Sequence, residues 1–210
     1  DRYLFGTGMD GYGPANLRSV DVETGAVTEL WPDLYFTFAV DPENDLIALS
    51  SYHNANGYPE AGLGLFFISF DGNWRNVSEI EFDQVIYLGY EDTRFLATNA
   101  DGTFAISADG TVTLLSEGRL ESISPDRQWY VISSASGIDL YSADQMLVAH
   151  VDDHYFPLTW RSDSAGVLMT LDGSLVYLSV QNGQMLTMET CLAESCPYCG
   201  FDFDQCVWIP

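Results

Sequence analysis

The chain repeats one outline of four short apolar runs separated by turn residues, and this repetition limits the folds open to it. Each repeat has an apolar run, an Asp-rich turn, a second run, a loop, an alternating third run, a tight turn and a fourth run. Complete repeats cover residues 35–78, 85–115, 120–151 and 156–190. No segment shows helical periodicity over the roughly eleven residues that a helix assignment needs. Four strands in roughly 35 to 45 residues predict the blades of a β-propeller, whereas a β-sandwich does not explain the recurring outline.

An incomplete repeat precedes these four. Residues 2–31 contain three runs, which match the second, third and fourth strands of a blade: Tyr3–Thr7, Leu17–Val22 and Ala26–Leu30. We expect the apolar run Gln205–Ile209 to supply the missing innermost strand, because a closed ring removes exposed sheet edges. The sequence therefore predicts an all-β protein, a single domain over residues 1–210. Its fold would be a five-bladed β-propeller of four-stranded antiparallel blades, closed by the C-terminal strand pairing into the N-terminal blade.

Several Asp-rich turns resemble a known repeat. The stretch from Ser124 to Ser134 reads Ser-Pro-Asp-Arg-Gln-Trp-Tyr-Val-Ile-Ser-Ser, and it resembles the PD40 repeat, the WD40-like unit of TolB-like β-propellers. The stretch from Trp160 to Leu168 looks like a variant of this motif, and the stretch from Asp41 to Ser51 is similar but rearranged. The repeat that begins at Val85 keeps only an acidic turn. The resemblance spans nearly the whole chain and implies the fold; for function it implies a binding platform or a non-catalytic partner of hydrolases.

The charge of the chain excludes two classes of partner. The sequence has 31 acidic and 7 basic residues, a net charge of −24, and every basic residue is arginine. Such a surface repels phosphate backbones, so nucleic-acid binding and attachment to anionic membranes are not expected. No apolar run approaches the roughly 20 residues of a membrane helix, and no membrane insertion is expected. The acidity fits a solvated coat, a salt-rich habitat, or affinity for calcium or for a basic partner.

All four cysteines lie in the last twenty residues, at Cys191, Cys196, Cys199 and Cys206. We favour two disulfides that staple an irregular closing tail, since four cysteines in an exported chain pair readily. A four-thiolate zinc site is an alternative, although the spacing of its second cysteine pair is unusual. Redox catalysis is another, because Cys196-Pro197-Tyr198-Cys199 is identical to the glutaredoxin motif, but no βαβ unit surrounds it. The disulfide pairing stays open.

The cysteines, which we expect to form disulfides, also indicate where the protein is located. The chain starts at Asp1 without a cleavable signal, and we expect a mature form or an excised domain of a secreted, periplasmic or cell-surface protein. The sequon Asn76-Val77-Ser78 offers a glycosylation site if the host glycosylates.

Two long loops indicate the binding face. Gly8–Asn16 and Tyr52–Gly62 connect the second and third strands of adjacent blades, and their sequences parallel each other. Long loops rich in Tyr, Asn and Gly suit recognition, although inserts that only pack over the ring would look the same. On the same face Asp152 and Asp153 could hold calcium or form a solvated acidic turn. The candidate binding residues are Asp10, Tyr12, Asn16, Tyr52, His53, Asn54, Asn56, Tyr58, Glu60, Asp152, Asp153, His154 and Tyr155.

Motifs of catalysis are missing from the sequence. It has no G-x-S-x-G elbow, H-E-x-x-H helix or P-loop, and we interpret His150 as a strand residue. Four aspartates that close the first hairpins are interpreted as turn residues on the opposite face: Asp41, Asp92, Asp126 and Asp163.

We therefore expect a non-catalytic extracellular binding propeller without a cofactor, for which calcium is the one candidate ion. Its partner would be a protein, peptide or glycan on the long-loop face. The alternatives are a carbohydrate-binding or glycoside-hydrolase-type five-bladed propeller, and a self-assembling structural subunit of a surface assembly.

Overall fold

A computed structural model describes residues 2–8, 14–51, 62–152, 156–171 and 174–190, and all regular structure in these ranges is β-strand. The strands are β1 (Arg2–Gly8), β2 (Pro14–Asp21), β3 (Val27–Asp41), β4 (Leu46–Ser51), β5 (Gly64–Ser69), β6 (Trp74–Ser78), β7 (Gln84–Tyr87), β8 (Phe95–Asn99), β9 (Gly102–Ile106), β10 (Val112–Ser116), β11 (Arg119–Ile123), β12 (Trp129–Ser134), β13 (Gly137–Ser142), β14 (Leu147–Val151), β15 (Phe156–Trp160), β16 (Gly166–Leu171), β17 (Ser174–Ser179) and β18 (Met185–Thr190). No helix in the described ranges is long and apolar enough to cross a membrane.

The strands form antiparallel sheets in which chain neighbours are sheet neighbours. Three sheets hold four strands each, namely β7–β10, β11–β14 and β15–β18. They coincide with the repeats predicted at residues 85–115, 120–151 and 156–190, so the all-β class and the four-stranded antiparallel repeat are confirmed. The first six strands form one larger sheet in the order β1 to β6. The structure thus has four sheets in the described residues, and the count of five blades stays a prediction.

The larger sheet arises because β3 spans two of the predicted repeats. This strand runs 15 residues without interruption. Its first part pairs with β2 and its second part with β4, and the change of partner falls between Leu34 and Tyr35. The sequence predicted two separate strands here, Ala26–Leu30 and the first apolar run of the repeat that covers residues 35–78. The backbone stays extended because Trp31, Leu34 and Tyr35 are all buried, and the register shift opposite Asn16 accommodates Pro32, which has no N–H to donate.

Contacts divide the chain into two compact units, Asp1–Leu115 and Ser116–Pro210. In the first unit, central strands are buried on both faces, because successive side chains of a strand point to opposite sides. Phe66 of β5 packs in a cluster with Trp31 and Leu49, whereas the adjacent Phe67 packs with Phe95 in a second cluster. The ring centroids of Trp31 and Phe66 lie 4.6 Å apart. Sheets in this unit therefore stack face to face.

The second unit has a core of its own. Val131 and Leu140, from the β11–β14 sheet, pack against Trp160, Val167 and Leu178 from the β15–β18 sheet. The indole Nε1 of Trp160 donates a hydrogen bond to Ser122 Oγ at 3.1 Å, so this large aromatic side chain is buried with its polar atom satisfied.

Candidate functional site

The ends of the longer of the two loops are held by one buried serine. Ser51 ends β4, and its hydroxyl lies 2.9 Å from the carbonyl oxygen of Gly62 and 3.3 Å from that of Gly64. Gly64 has a φ of +109°, and a Cβ atom there would lie 2.0 Å from the carbonyl oxygen of Ser78. Only glycine fits this close approach. The residues that precede and follow the loop are therefore fixed on the sheet.

The first loop is shorter than the sequence predicted. Pairing between β1 and β2 continues to Gly8 and Pro14, which leaves residues 9–13 as the connection instead of Gly8–Asn16. Asn16 lies within β2, half-buried, at the register shift and with a φ of +52°. Asparagine tolerates this left-handed conformation better than most residues. Its position in the strand bulge corrects the prediction that it belongs to the loop.

A cluster of one histidine and two carboxylates lies where β14 ends. His150 Nδ1 is 2.6 Å from Asp139 Oδ1 on β13, and His150 Nε2 is 3.0 Å from Asp152 Oδ1. An ionised carboxylate only accepts hydrogen bonds, so an imidazole that carries a proton on each ring nitrogen can donate to both aspartates at once. The hydrogen bond to Asp139 is the main cause that raises the pKa of His150, and Asp152 adds to it. The predicted residue Asp152 thus contacts His150.

The four cysteines and the predicted closing segment 205–209 lie outside the described residues. The other candidate binding residues lie outside them as well: Asp10, Tyr12, Tyr52, His53, Asn54, Asn56, Tyr58, Glu60, Asp153, His154 and Tyr155. Asn76, the predicted glycosylation site, is exposed on β6, and its side-chain amide donates to Leu63 O at 3.3 Å. Across the described part of the chain, no group of three or more His, Cys, Asp and Glu side chains is arranged to hold a metal ion.

The sequence interpretation missed Asp139 and the role of His150. Asp139 on β13 lies directly opposite His150 on β14, and the register of this strand pair shifts between Leu140 and Tyr141. Counting outward from the turn without knowledge of that shift assigns the wrong cross-strand partner. The only readable signal was the spacing of His150 and Asp152, because residues two apart on a strand share a face.

The hairpin aspartates bind their own turns, as the sequence predicted. Asp41 Oδ1 accepts hydrogen bonds from the backbone N–H of Glu43 at 3.0 Å and of Asn44 at 3.3 Å. Asp126 Oδ1 accepts from the N–H of Gln128 at 3.0 Å, and Asp163 Oδ1 from that of Ala165 at 3.1 Å. These bonds satisfy backbone donors that the turn leaves free. The three carboxylates are therefore structural, while Asp92 is exposed.

Comparison with known proteins shows which fold the chain shares, but it does not assign the chain to a family. No protein-family profile matches the sequence, and no curated protein matches it. Among solved structures, a eukaryotic initiation factor matches with a TM-score of 0.60 and 15% identity over 89% of this chain and 51% of its own.

Two further structures match over most of this chain. The β-propeller domain of Cps50 (Swd1) from Myceliophteria thermophila gives a TM-score of 0.52 and 7% identity, over 90% of this chain and 74% of its own. An oligogalacturonate lyase from Vibrio parahaemolyticus gives 0.52 and 14%, over 89% and 62%. Identities this low indicate a shared fold only. The chain is thus similar to β-propeller proteins in fold, and its membership of the TolB-like family stays a prediction.

Proposed function

We propose that the protein is a non-catalytic binding propeller whose contact surface is the face bearing the connections 9–13 and 52–61. The observation that carries this proposal is the fixation of the longer loop by Ser51, Gly62 and Gly64. A loop held at both ends on a rigid sheet loses less conformational entropy on binding than a free one, so more of its contact energy appears as affinity. Tyr58 and Tyr12 are the side chains that we expect to supply stacking area.

Four polar side chains of the described residues that could support catalysis already have partners within the protein. Asp41, Asp126 and Asp163 accept hydrogen bonds within their own turns. His150 has a carboxylate oxygen within hydrogen-bond distance of each ring nitrogen, so both nitrogens are already engaged within the protein. These contacts favour binding over hydrolysis, and they favour it over the glycoside-hydrolase alternative in particular.

The charge of the chain indicates the chemistry of the partner. In the described residues, Arg18, Arg94 and Arg161 form ion pairs with acidic side chains of the same protein. With 31 acidic and 7 basic residues, the chain still carries a net charge of −24. An acidic surface attracts a basic one over distances set by the Debye length. We therefore propose a protein or peptide partner with a basic surface, met outside the cytoplasm at the cell surface, in the periplasm or in secreted form.

The finer architecture belongs to the same proposal. The first part of the six-stranded sheet, formed by β1, β2 and the beginning of β3, has three strands where the other repeats have four. We propose five blades, the first of them completed by residues 205–209.

The proposal is tested by mutating the loop tyrosines. Tyr12→Ala and Tyr58→Ala are compared with Leu114→Ala, which changes an exposed residue on β10. Binding is measured on an array of synthetic peptides graded from acidic to basic, with a glycan array in parallel. We expect wild type and Leu114→Ala to bind the basic peptides equally, and both tyrosine variants to lose at least about tenfold in affinity at unchanged melting temperature.

Two results would contradict this proposal. If both tyrosine variants melt several degrees earlier, these residues pack against the fold and do not form a contact surface. If wild type binds glycans in place of peptides, the carbohydrate-binding alternative is correct. Raising the salt concentration should weaken peptide binding, because it screens the charges on which the encounter depends.

A further inference from the structure

The last strand of the six-stranded sheet carries the one N-glycosylation sequon of the sequence. Asn76-Val77-Ser78 forms the end of β6, which pairs with β5 and with no other strand of the described residues. The side chain of Asn76 is exposed, so a sugar attached to its amide would extend into solvent. A bulky and strongly hydrated glycan requires a surface position of this kind.

An exposed tryptophan lies on the same face of β6 as this asparagine. Side chains two residues apart on a strand point to the same side of the sheet, and Trp74 precedes Asn76 by two positions. Their cross-strand partners on β5, Ile68 and Phe66, belong to one core cluster, which agrees with this shared face. Trp74 is 45% exposed, although tryptophan side chains are well covered on average.

Two buried aromatic rings hold the indole of Trp74 in place. Its centroid lies 5.5 Å from that of Trp31 with an angle of 70° between the planes, and 5.6 Å from that of Phe66 with an angle of 79°. Both are edge-to-face arrangements, which aromatic pairs prefer. Trp31 and Phe66 are themselves almost completely buried. Trp74 is therefore a fixed apolar surface, close to half of which is open to solvent.

We propose that Asn76 is an acceptor for N-linked glycosylation and that the first sugar, an N-acetylglucosamine, packs on the indole of Trp74. The C–H groups of a pyranose ring carry a small positive charge and the face of an aromatic ring is negative, so the two attract each other. The contact also removes apolar surface from water. This inference goes beyond the proposed binding function; it rests on the export of the chain proposed above and not on the long-loop face.

The reaction transfers a glycan from a lipid-linked diphosphate donor by means of a transferase of the host. A bond forms between Asn76 Nδ2 and C1 of the first sugar, the bond between C1 and a phosphate oxygen breaks, and the lipid diphosphate leaves. The amide nitrogen carries two protons, of which one is released to solvent. The other proton stays, so Nδ2 can still donate to Leu63 O at 3.3 Å. Modification is therefore compatible with the hydrogen bond that Asn76 makes.

The full chain, secreted from a eukaryotic host that adds N-linked glycans, tests the acceptor. We expect mass spectrometry to find the sugar on Asn76 in wild type and to find none in Asn76→Gln, which keeps an amide but removes the sequon. Secreted wild type without a sugar on Asn76 would overturn the proposal.

A cycle of four proteins tests the contact with Trp74. The glycan is trimmed enzymatically to its first sugar, and the melting temperature of this form is compared with that of Asn76→Gln, both with Trp74 and with Trp74→Leu. We expect the single sugar to raise the melting temperature by roughly 2–4 °C beside Trp74 and by less than about 1 °C beside leucine, which has no aromatic face. An equal effect in both backgrounds, or no effect in either, contradicts the contact.

NMR spectra of the trimmed wild type give a second readout that needs no variant of Trp74. Protons of the first sugar that lie over the indole should shift upfield from their positions on a glycosylated peptide of the same sequence, because of the ring current. If Trp74→Leu does not fold, sugar protons at their peptide positions would still refute the contact. Neither measurement involves Tyr12 or Tyr58, so this inference and the proposed binding function can fail separately.

Discussion

Replacing Asp41 with alanine should destabilise the protein far more than removing Arg94, although the two side chains form one ion pair. Asp41 is 0% exposed and the side chain of Arg94 is 13% exposed, and their Oδ2 and Nε atoms lie 3.4 Å apart. Asp41 also accepts the two turn N–H bonds described above and a third bond from Asn44 Nδ2 at 2.8 Å. Arg94 has an alternative acceptor in Gly89 O at 3.1 Å, and its Nη1 is 3.5 Å from Glu43 Oε2. The two partners are therefore unequal.

The magnitudes follow from these contacts. Asp41→Ala removes three hydrogen bonds worth about 1 kcal/mol each, and it leaves a largely buried guanidinium whose remaining ion-pair partner, Glu43, is exposed. Breaking a buried pair in this way costs about 3–5 kcal/mol, a total that includes the lost hydrogen bonds. Arg94→Met leaves Asp41 with all three donors from its turn and keeps most of the buried volume, so we expect about 1–2 kcal/mol.

Urea unfolding followed by tryptophan fluorescence measures the difference. With a slope of about 2 kcal/mol per molar urea, the midpoint should fall by roughly 2 M for Asp41→Ala and by less than about 1 M for Arg94→Met. The double variant should be no less stable than Asp41→Ala, because the uncompensated charge is then absent. If Arg94→Met costs as much as Asp41→Ala, the ion pair and not the turn hydrogen bonds carries the stability, and this reasoning is refuted.

Three further predictions use other parts of the structure. Gly64→Ala should lower the free energy of unfolding by more than about 2 kcal/mol, whereas Gly25→Ala, with a positive φ but no atom within 4 Å, should cost about 1 kcal/mol; equal losses in calorimetry would contradict the clash with Ser78. Hydrogen bonding raises the folded pKa of His150, so the stability that it contributes is complete below about pH 6.5 and is lost as the pH rises through the folded value. His150→Gln should therefore flatten the dependence of melting temperature on pH above neutrality, and an unchanged profile would show that the cluster does not form in solution. The hydroxyl of Ser107 is the main cause that lowers the pKa of Asp109, so NMR titration of Ser107→Ala should show this pKa closer to its ordinary value, and no change would contradict the hydrogen bond.

The repeat was readable from the sequence because each strand is short, apolar and bounded by turn residues. Ser107-Ala108-Asp109-Gly110 shows the mechanism: the Ser107 N–H bonds Thr111 O at 3.0 Å, and Gly110 takes a φ of +95°. Such local chemistry sets a hairpin wherever it occurs. Thus, in the repeat that begins at Val85 and lacks the Ser-Pro-Asp motif, the last three predicted strands match β8, β9 and β10 to within one residue at each end. The first was expected over Val85–Tyr90, whereas β7 ends at Tyr87.

The features that escaped prediction depend on register and on burial. The left-handed Asn16 and the partnership of Asp139 with His150 both accompany register shifts, and a bulge leaves no fixed signature in a single sequence. The union of two predicted strands into β3 depends on burial of Trp31 and Leu34, which follows from packing against residues distant in the chain. These tertiary contacts keep β3 continuous, although the local sequence predicts that the strand ends at Pro32.

The continuous strand β3 also ties the pairing of two repeats together. Its beginning pairs with β2 and its end with β4, so a slip of one residue along its length would turn over the side chains of both repeats at once. A misaligned pairing in either repeat would have to expel Trp31 and Ala39 from their separate clusters in the same event. The correct strand register in one repeat therefore also constrains the strand register of the neighbouring repeat.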